Sequence, residues 1–259
     1  MEIATSTQHR NWVDALRAIG IVLVVLGHTL GIGDGVDKYI FSFHMPLFFF
    51  LSGFVLTGAR LSQSMVDTVR HYGRRLLVPY ALFSILTYIP WVLITRRYGS
   101  EAPSAVEVWR PLVGTFYGIG IDGWLQHNAM LWFFPCLFVL HVVFHELHRR
   151  FRGGRLWVFT IVLTGIGWLV PHFVQVRLPW GAEVALIALP FYALGHYFSS
   201  KEYFLPGAKG KLFPMFIAFS ALQYGCILLN GRVDMNFISL GNPLLFYLGA
   251  MAGNGAVAC

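Results

Sequence analysis

The 259-residue sequence predicts an all-α, polytopic membrane helix bundle. Three observations point there. Only 12% of the residues are charged and 56% are hydrophobic, whereas a soluble domain carries about 25% charge. Apolar stretches of about 20 residues, the length that crosses roughly 30 Å of hydrocarbon, recur along the chain. Lys and Arg gather between alternate stretches, the asymmetry that orients membrane proteins. The same figures exclude a soluble enzyme, a disordered tail and a disulfide-stapled secreted module.

Spans are expected near residues 13–33, 39–58, 76–95, 129–147, 156–171, 183–199, 213–230 and 243–259. The fifth is short and the last meets the chain end, which makes about seven to eight transmembrane helices. With the N-terminus cytoplasmic, the inside segments hold twelve of the 19 Lys and Arg residues and the outside segments six, Arg17 lying within a span. That bias sets the orientation. Asp14 and Arg17 interrupt the first apolar run and a second span follows at once, so a retained helix is expected there and not a cleaved signal peptide. The largest outer loop, about 96–128, carries Trp109, Phe116, Tyr117 and Trp124, which suit a membrane surface.

No repeat or low-complexity tract divides the chain, so residues 1–259 read as one membrane domain. The net charge of +7 belongs to orientation, and no nucleic-acid partner is expected. Cys136 and Cys226 sit in apolar runs and Cys259 ends the chain. No disulfide or metal framework follows from that spacing.

Ionisable groups inside a span cost about 2.5–3.5 kcal/mol or more at its centre, so each needs a reason. Arg17 and His28 are eleven residues apart in the first span. That is three turns plus roughly 20°, which puts both on one face about 16 Å apart along the axis. Arg17 marks the cytoplasmic end, with Asp14 at i−3 as its alternative partner; His28 lies deeper. The hairpin from Gly31 to Lys38 is short, so His44 on the returning span reaches a depth similar to that of His28. Farther along, Ser52-Gly53 permits close approach of another helix. Arg70, His71, Arg74 and Arg75 precede the third span, and Arg70 and Arg74 are one turn apart, a two-pronged grip for phosphate as well as a positive-inside anchor. His141, His145 and His148 share spacing with metal-binding helices, but no further ligand completes a set, and an interfacial rim is expected. His127, His172 and His196 carry no assigned role.

These residues fall in a recognisable order. Asp14-Ala15-Leu16-Arg17 stands ten residues before His28. Next come Phe43-His44-Met45-Pro46-Leu47-Phe48-Phe49-Phe50-Leu51-Ser52-Gly53-Phe54, then Arg74-Arg75-Leu76-Leu77-Val78-Pro79-Tyr80, then Leu131-Trp132-Phe133-Phe134-Pro135. Together they closely resemble the acyltransferase-3 family of integral-membrane O-acyltransferases, most of all its fucose 4-O-acetylase-like branch. The resemblance covers roughly residues 11–140; beyond that only the hydropathy is compatible.

The resemblance implies transfer of an acetyl or other acyl group from acyl-CoA to a hydroxyl of a glycan or lipid-linked sugar. It implies a place in the bacterial cytoplasmic (inner) membrane and needs no metal. Arg17 and His28 map onto the family's functionally important Arg-X10-His pair. Arg74 and Arg75, with Arg70 and His71 beside them, map onto its Arg-rich motif, although the spacing here is Arg-x-x-x-Arg. His44, Ser52, Arg70, Arg74, Arg75 and Trp132 are then the expected substrate contacts. A sugar hydroxyl is a poor nucleophile, so transfer needs a base. A neutral His28 serves either as that base or as a transient acyl carrier. Arg17 and the arginine cluster meet the CoA phosphates, and the long span from Arg17 to His28 suits a long thin donor. The family's domain has about ten spans, so a C-terminally truncated or incomplete domain is expected. The alternatives are a transporter or channel that uses Arg17 and His28 as a substrate or proton path, and an inactive membrane protein.

Overall fold

The computed structural model describes residues 2–29, 31–98, 106–200 and 212–259, the first nine of them by backbone alone. Lys201, Lys209 and Lys211, and the side chain of Arg10, four of the twelve inside cations, lie outside the described residues. The described chain is helical, and its one strand-like feature is a single bridge between Asp234 and Ser239. In hydrocarbon this is forced: a backbone with no water to bond must satisfy itself within each helix. Among the described residues, four helices are long and apolar enough to cross a membrane: Met65–Tyr98, Ala129–Arg150, Gly154–Phe173 and Leu212–Asn230. The chain is a multi-pass membrane protein.

Two compact units divide the chain. The first contains residues 1–56 and 191–259, and the second 57–190. In the first unit, α1 (Glu2–Gly27) is followed by α2 (Asp34–Phe41) and α3 (His44–Phe54). The apolar run at 39–58 reads as one span, yet the helix breaks at Ser42-Phe43. Phe43 takes a φ of −143°, and the Ser42 hydroxyl donates to the Tyr39 carbonyl at 2.7 Å. Hydropathy alone does not register such a break, because both halves stay apolar. Trp12 of α1 meets Phe54 edge-on at 5.2 Å, and Phe43, Leu47, Phe49 and Leu51 are wholly buried.

Close helix approach in this unit depends on glycine. A Cβ on Gly53 would collide with the Tyr192 carbonyl oxygen, and one on Gly195 with that of Phe50. Small residues let backbones meet in membranes, where lipid is as apolar as leucine and packing must supply the attraction. The unit is completed by two later helices, Leu212–Asn230 and Pro243–Ala258. The Gln223 amide donates to the Ser42 hydroxyl at 2.8 Å, which ties the first of these to the broken hairpin.

The second unit is built around one long helix, Met65–Tyr98, and the helix Phe133–Arg150. Ser64 caps the long helix by accepting from the Asp67 N–H at 3.1 Å. A π-helical turn, Gly73–Leu77, closes with the Val78 N–H on the Gly73 carbonyl, five residues back. Pro79 explains it: proline has no N–H to return to the Arg75 carbonyl, and its ring crowds that position. Buried His141 stacks on Tyr72 with ring centroids 3.6 Å apart, and Thr68 lies 3.3 Å from Nδ1 of His145. Val78, Leu82, Ile85, Leu86 and Ile89 stay exposed, as a lipid-facing surface requires. At the far end, Tyr80 donates to the Thr115 carbonyl at 2.7 Å, and Ser84 Oγ lies 2.8 Å from Thr115 Oγ1 and 2.9 Å from His127 Nε2. Burial holds the His127 imidazole down to about 4.

Two consequences are measurable by thermal unfolding in detergent. Gly53→Ala is expected to cost about 1–3 kcal/mol through overpacking. Gly165→Ala, in the helix Gly154–Phe173 with open space around it, is expected to be neutral or stabilising by up to about 1 kcal/mol. For His127 the folded-state pKa lies below the unfolded value of about 6.5. The unfolded chain therefore binds the extra proton first, and stability is full above pH 6.5 and falls as the pH drops towards 4. His127→Asn is expected to flatten that slope relative to the parent chain.

Candidate active site

In the first unit, the end of α1 and the broken hairpin bring two imidazoles to one phenyl ring. Phe41 lies 5.6 Å from His28 and 5.0 Å from His44, centroid to centroid. Gly27 makes room for it, since a Cβ there would press on Ile40 and Phe41 at 3.2 Å. His28 is exposed and His44 buried. Each sends Nδ1 to the carbonyl four residues back, His28 to Val24 and His44 to Ile40, both at 2.8 Å. A carbonyl oxygen can only accept, so Nδ1 carries the proton in both rings. Nε2 of His28 then holds the lone pair, the state a general base needs.

Arg17 bonds Asp14 at 3.1 Å, one turn back on the same helix, with both side chains substantially exposed. Ser52 donates its hydroxyl proton to the Phe48 carbonyl at 2.7 Å. Its oxygen keeps acceptor capacity, but no base is directed at it in that bond.

Phe41 has a third neighbour that sequence reasoning leaves in an outer loop. The Arg232 guanidinium lies over the Phe41 ring, 3.9 Å from its centroid. Nε donates to Asp37 at 2.6 Å and a terminal nitrogen donates to Asp234 at 3.1 Å. Burial works against the Arg232 charge, but these two carboxylates outweigh it and raise the pKa above its ordinary value. Asp37 and Arg232 are 195 residues apart in sequence, so no local pattern exposes the pair.

In the second unit, Arg60, Arg70, Arg74 and Arg75 line an open cleft of about 420 Å³ together with Gln63, Asp67 and His71. The π turn carries Arg74 and Arg75, and both line the cleft with Arg70. Asp67, the one carboxylate in the lining, is bonded to the capping Ser64 hydroxyl at 2.6 Å. Arg60 donates to Gln63 at 3.3 Å, and no described carboxylate pairs with any of the four arginines. Four arginines against one carboxylate leave the cleft with an excess of positive charge, the kind of surface that attracts anions. Arg60, on the short helix Gly58–Leu61, was legible only as a positive-inside residue, because its approach to Arg70 depends on the turn that leads into the long helix.

Trp132 is buried in the same unit, at the entry to Phe133–Arg150 and edge-on to Phe133 at 6.3 Å. His141 and His145 are occupied by Tyr72 and Thr68, and His148 lies 2.7 Å from an Arg152 nitrogen. Among the described residues no group of three or more His, Cys, Asp or Glu side chains is placed to hold a metal.

Comparison with known proteins follows this geometry. The acyltransferase domain family matches residues 10–254. Two relatives are both described as nodulation protein NolL. One, from Mesorhizobium japonicum, is 24% identical over 196 residues, covering 72% of this chain and 47% of the relative. The other, from Sinorhizobium fredii, is 30% identical over 114 residues, covering 40% of this chain and 31% of the relative. The chain thus matches half or less of the length of either. No solved structure matches it.

The arginine cleft predicts salt-sensitive anion binding. Pyrophosphate is expected to bind the detergent-solubilised chain and to weaken as ionic strength rises. Arg74→Gln is expected to weaken it roughly tenfold, the worth of one charge-assisted bond. Arg97→Gln, outside the cleft, is expected to leave it unchanged; isothermal titration calorimetry reads all three.

Proposed function

The chain belongs to the acyltransferase domain family, whose match covers nearly all of it, and from that premise we propose that it moves an acetyl or other acyl group from acyl-CoA to a carbohydrate hydroxyl. The observation that carries the reading is the exposed His28 ring, whose Nδ1 proton is committed to Val24 while Nε2 remains available. Nε2 takes the proton of the acceptor hydroxyl as its oxygen attacks the thioester carbonyl. The carbon–sulfur bond then breaks, the thiolate leaves with a proton, and an ester and free CoA result. In the variant route His28 itself accepts the acyl group and passes it on.

The arginine cleft supports an acyl-CoA donor. A CoA molecule carries several phosphates, and Arg70, Arg74 and Arg75 stand unpaired around a space of suitable size. Arg17 assists on the donor side. His44, buried beside Phe41, and Ser52 contact substrate or orient His28, and Trp132 is carried over as a substrate contact from the family motif alone. The family and the branch it resembles favour a glycan or lipid-linked sugar as acceptor. The N-terminus faces the cytoplasm, where acyl-CoA is made, and the bundle is one domain of seven to eight spans in a bacterial inner membrane.

The test uses purified chain, radiolabelled acetyl-CoA and a fucosylated oligosaccharide as probes. Label is expected to move to the oligosaccharide. His28→Ala is expected to lower the rate by about 10²–10⁴-fold, the usual worth of a positioned base. Full transfer by that variant would remove His28 from the mechanism.

A further inference from the structure

We propose that Arg232 is a positioning residue of the transfer centre, acting on His28 and His44 through the face of Phe41. The proposal rests on the reading of His28 as the acid–base group. Its basis is a chain of contacts within one unit. Asp37 and Asp234 fix the guanidinium, the guanidinium lies over Phe41 at 3.9 Å, and Phe41 abuts both imidazoles.

Arg232 has a firm base to act from. The loop that carries it closes on itself through reciprocal backbone bonds between Asp234 and Ser239, at 2.7 and 3.0 Å. Asp234 also accepts from the Asn236 N–H at 2.9 Å, Asn230 donates to the Leu240 carbonyl at 2.9 Å, and the Asn242 N–H returns to Asn230 at 2.7 Å. Asp234 thus holds its own loop with one oxygen and Arg232 with the other. Asp37, on α2, links that loop to the hairpin between the two histidines.

A ring needs this support here. The Nδ1 bond to Val24 tethers the exposed His28 ring at one nitrogen, and the residue lies past the last turn of α1. Phe41 is the ring packed beside it, 5.6 Å away centroid to centroid. A cation held over a phenyl face binds it by about 0.5–2 kcal/mol, depending on exposure. A planar guanidinium covers that face better than an ammonium group does. An angstrom of misplacement at a reacting group costs up to about 10²-fold in rate.

The experiment follows transfer from acetyl-CoA to the fucosylated oligosaccharide with Arg232→Met, Phe41→Leu, their double variant, Arg232→Lys and His28→Ala. Arg232→Met and Phe41→Leu are each expected to lower kcat about tenfold or more while the donor KM stays within about twofold. Because both act through one ring, the double variant is expected to be no slower than the worse single one. Arg232→Lys is expected to recover part of the loss. A kcat within twofold of the parent in Arg232→Met overturns the proposal, as do losses that multiply in the double variant or a change confined to KM. If Arg232→Met does not fold, Arg232→Lys and Phe41→Leu decide, and parent-like rates in both overturn it. Full activity in His28→Ala overturns the base assignment and this proposal with it. An inactive His28→Ala beside a fully active Arg232→Met overturns the positioning role alone.

Discussion

A polar side chain inside a hydrocarbon slab has no water to turn to, and the nearest acceptor is the backbone of its own helix. This chain uses that solution repeatedly. Thr29 bonds the Val25 carbonyl, Ser52 that of Phe48, Thr87 that of Phe83 and His172 that of Trp168, each four residues back. His28 and His44 follow the same rule with Nδ1. A hydroxyl spends its only proton in this way, which makes Ser52 a poor prospect as a nucleophile. An imidazole has two nitrogens, so the same local bond that lowers its burial cost also fixes its tautomer. The chemistry proposed for His28 is therefore a by-product of how the membrane makes any polar group settle.

Charges divide along the same line. Arg17 has Asp14, Arg232 has Asp37 and Asp234, and Arg177 is bonded to the buried Glu183. Arg70, Arg74 and Arg75 have no carboxylate among the described residues, and the Asp67 beside them serves a helix cap. Fixed cations with a common space between them repel one another, so the arrangement is costly unless an anion visits it. Ordinary anchoring at the membrane surface asks only for positive charge, spread over phospholipid. A cleft of 420 Å³ lined by four arginines concentrates that charge in one place.

Much of this was legible in the sequence where the information is local. Hydropathy gives the helical membrane class, because both backbone rules and span lengths are properties of single segments. The short hairpin brings His28 and His44 to similar depth, and in the structure they share one phenyl neighbour. Ser52-Gly53 signals close approach, and Gly53 meets the Tyr192 carbonyl. What escapes is long-range or depends on a break. The second apolar run hides the turn at Ser42-Phe43, since averaging hydropathy erases one residue with unusual dihedrals. Pro79 is visible, but the π turn it induces beneath Arg74 and Arg75 is not. Arg232 reads as one more outer-loop cation, because its value lies in a carboxylate 195 residues away.

The composition of the Arg232 cluster bears on the proposed base in a way that distance alone does not. His28 becomes a cation when it accepts a proton, and a guanidinium nearby would oppose that by simple Coulomb repulsion. One carboxylate would cancel the guanidinium. Two leave the group of Arg232, Asp37 and Asp234 with a net charge of −1. Phe41 lies between this cluster and both imidazoles. The Phe41 ring adds its own negative face towards cations. A lone arginine stacked on Phe41 would steady the ring and penalise the reaction together. With both carboxylates present, the guanidinium that holds the Phe41 ring carries its counter-charge with it.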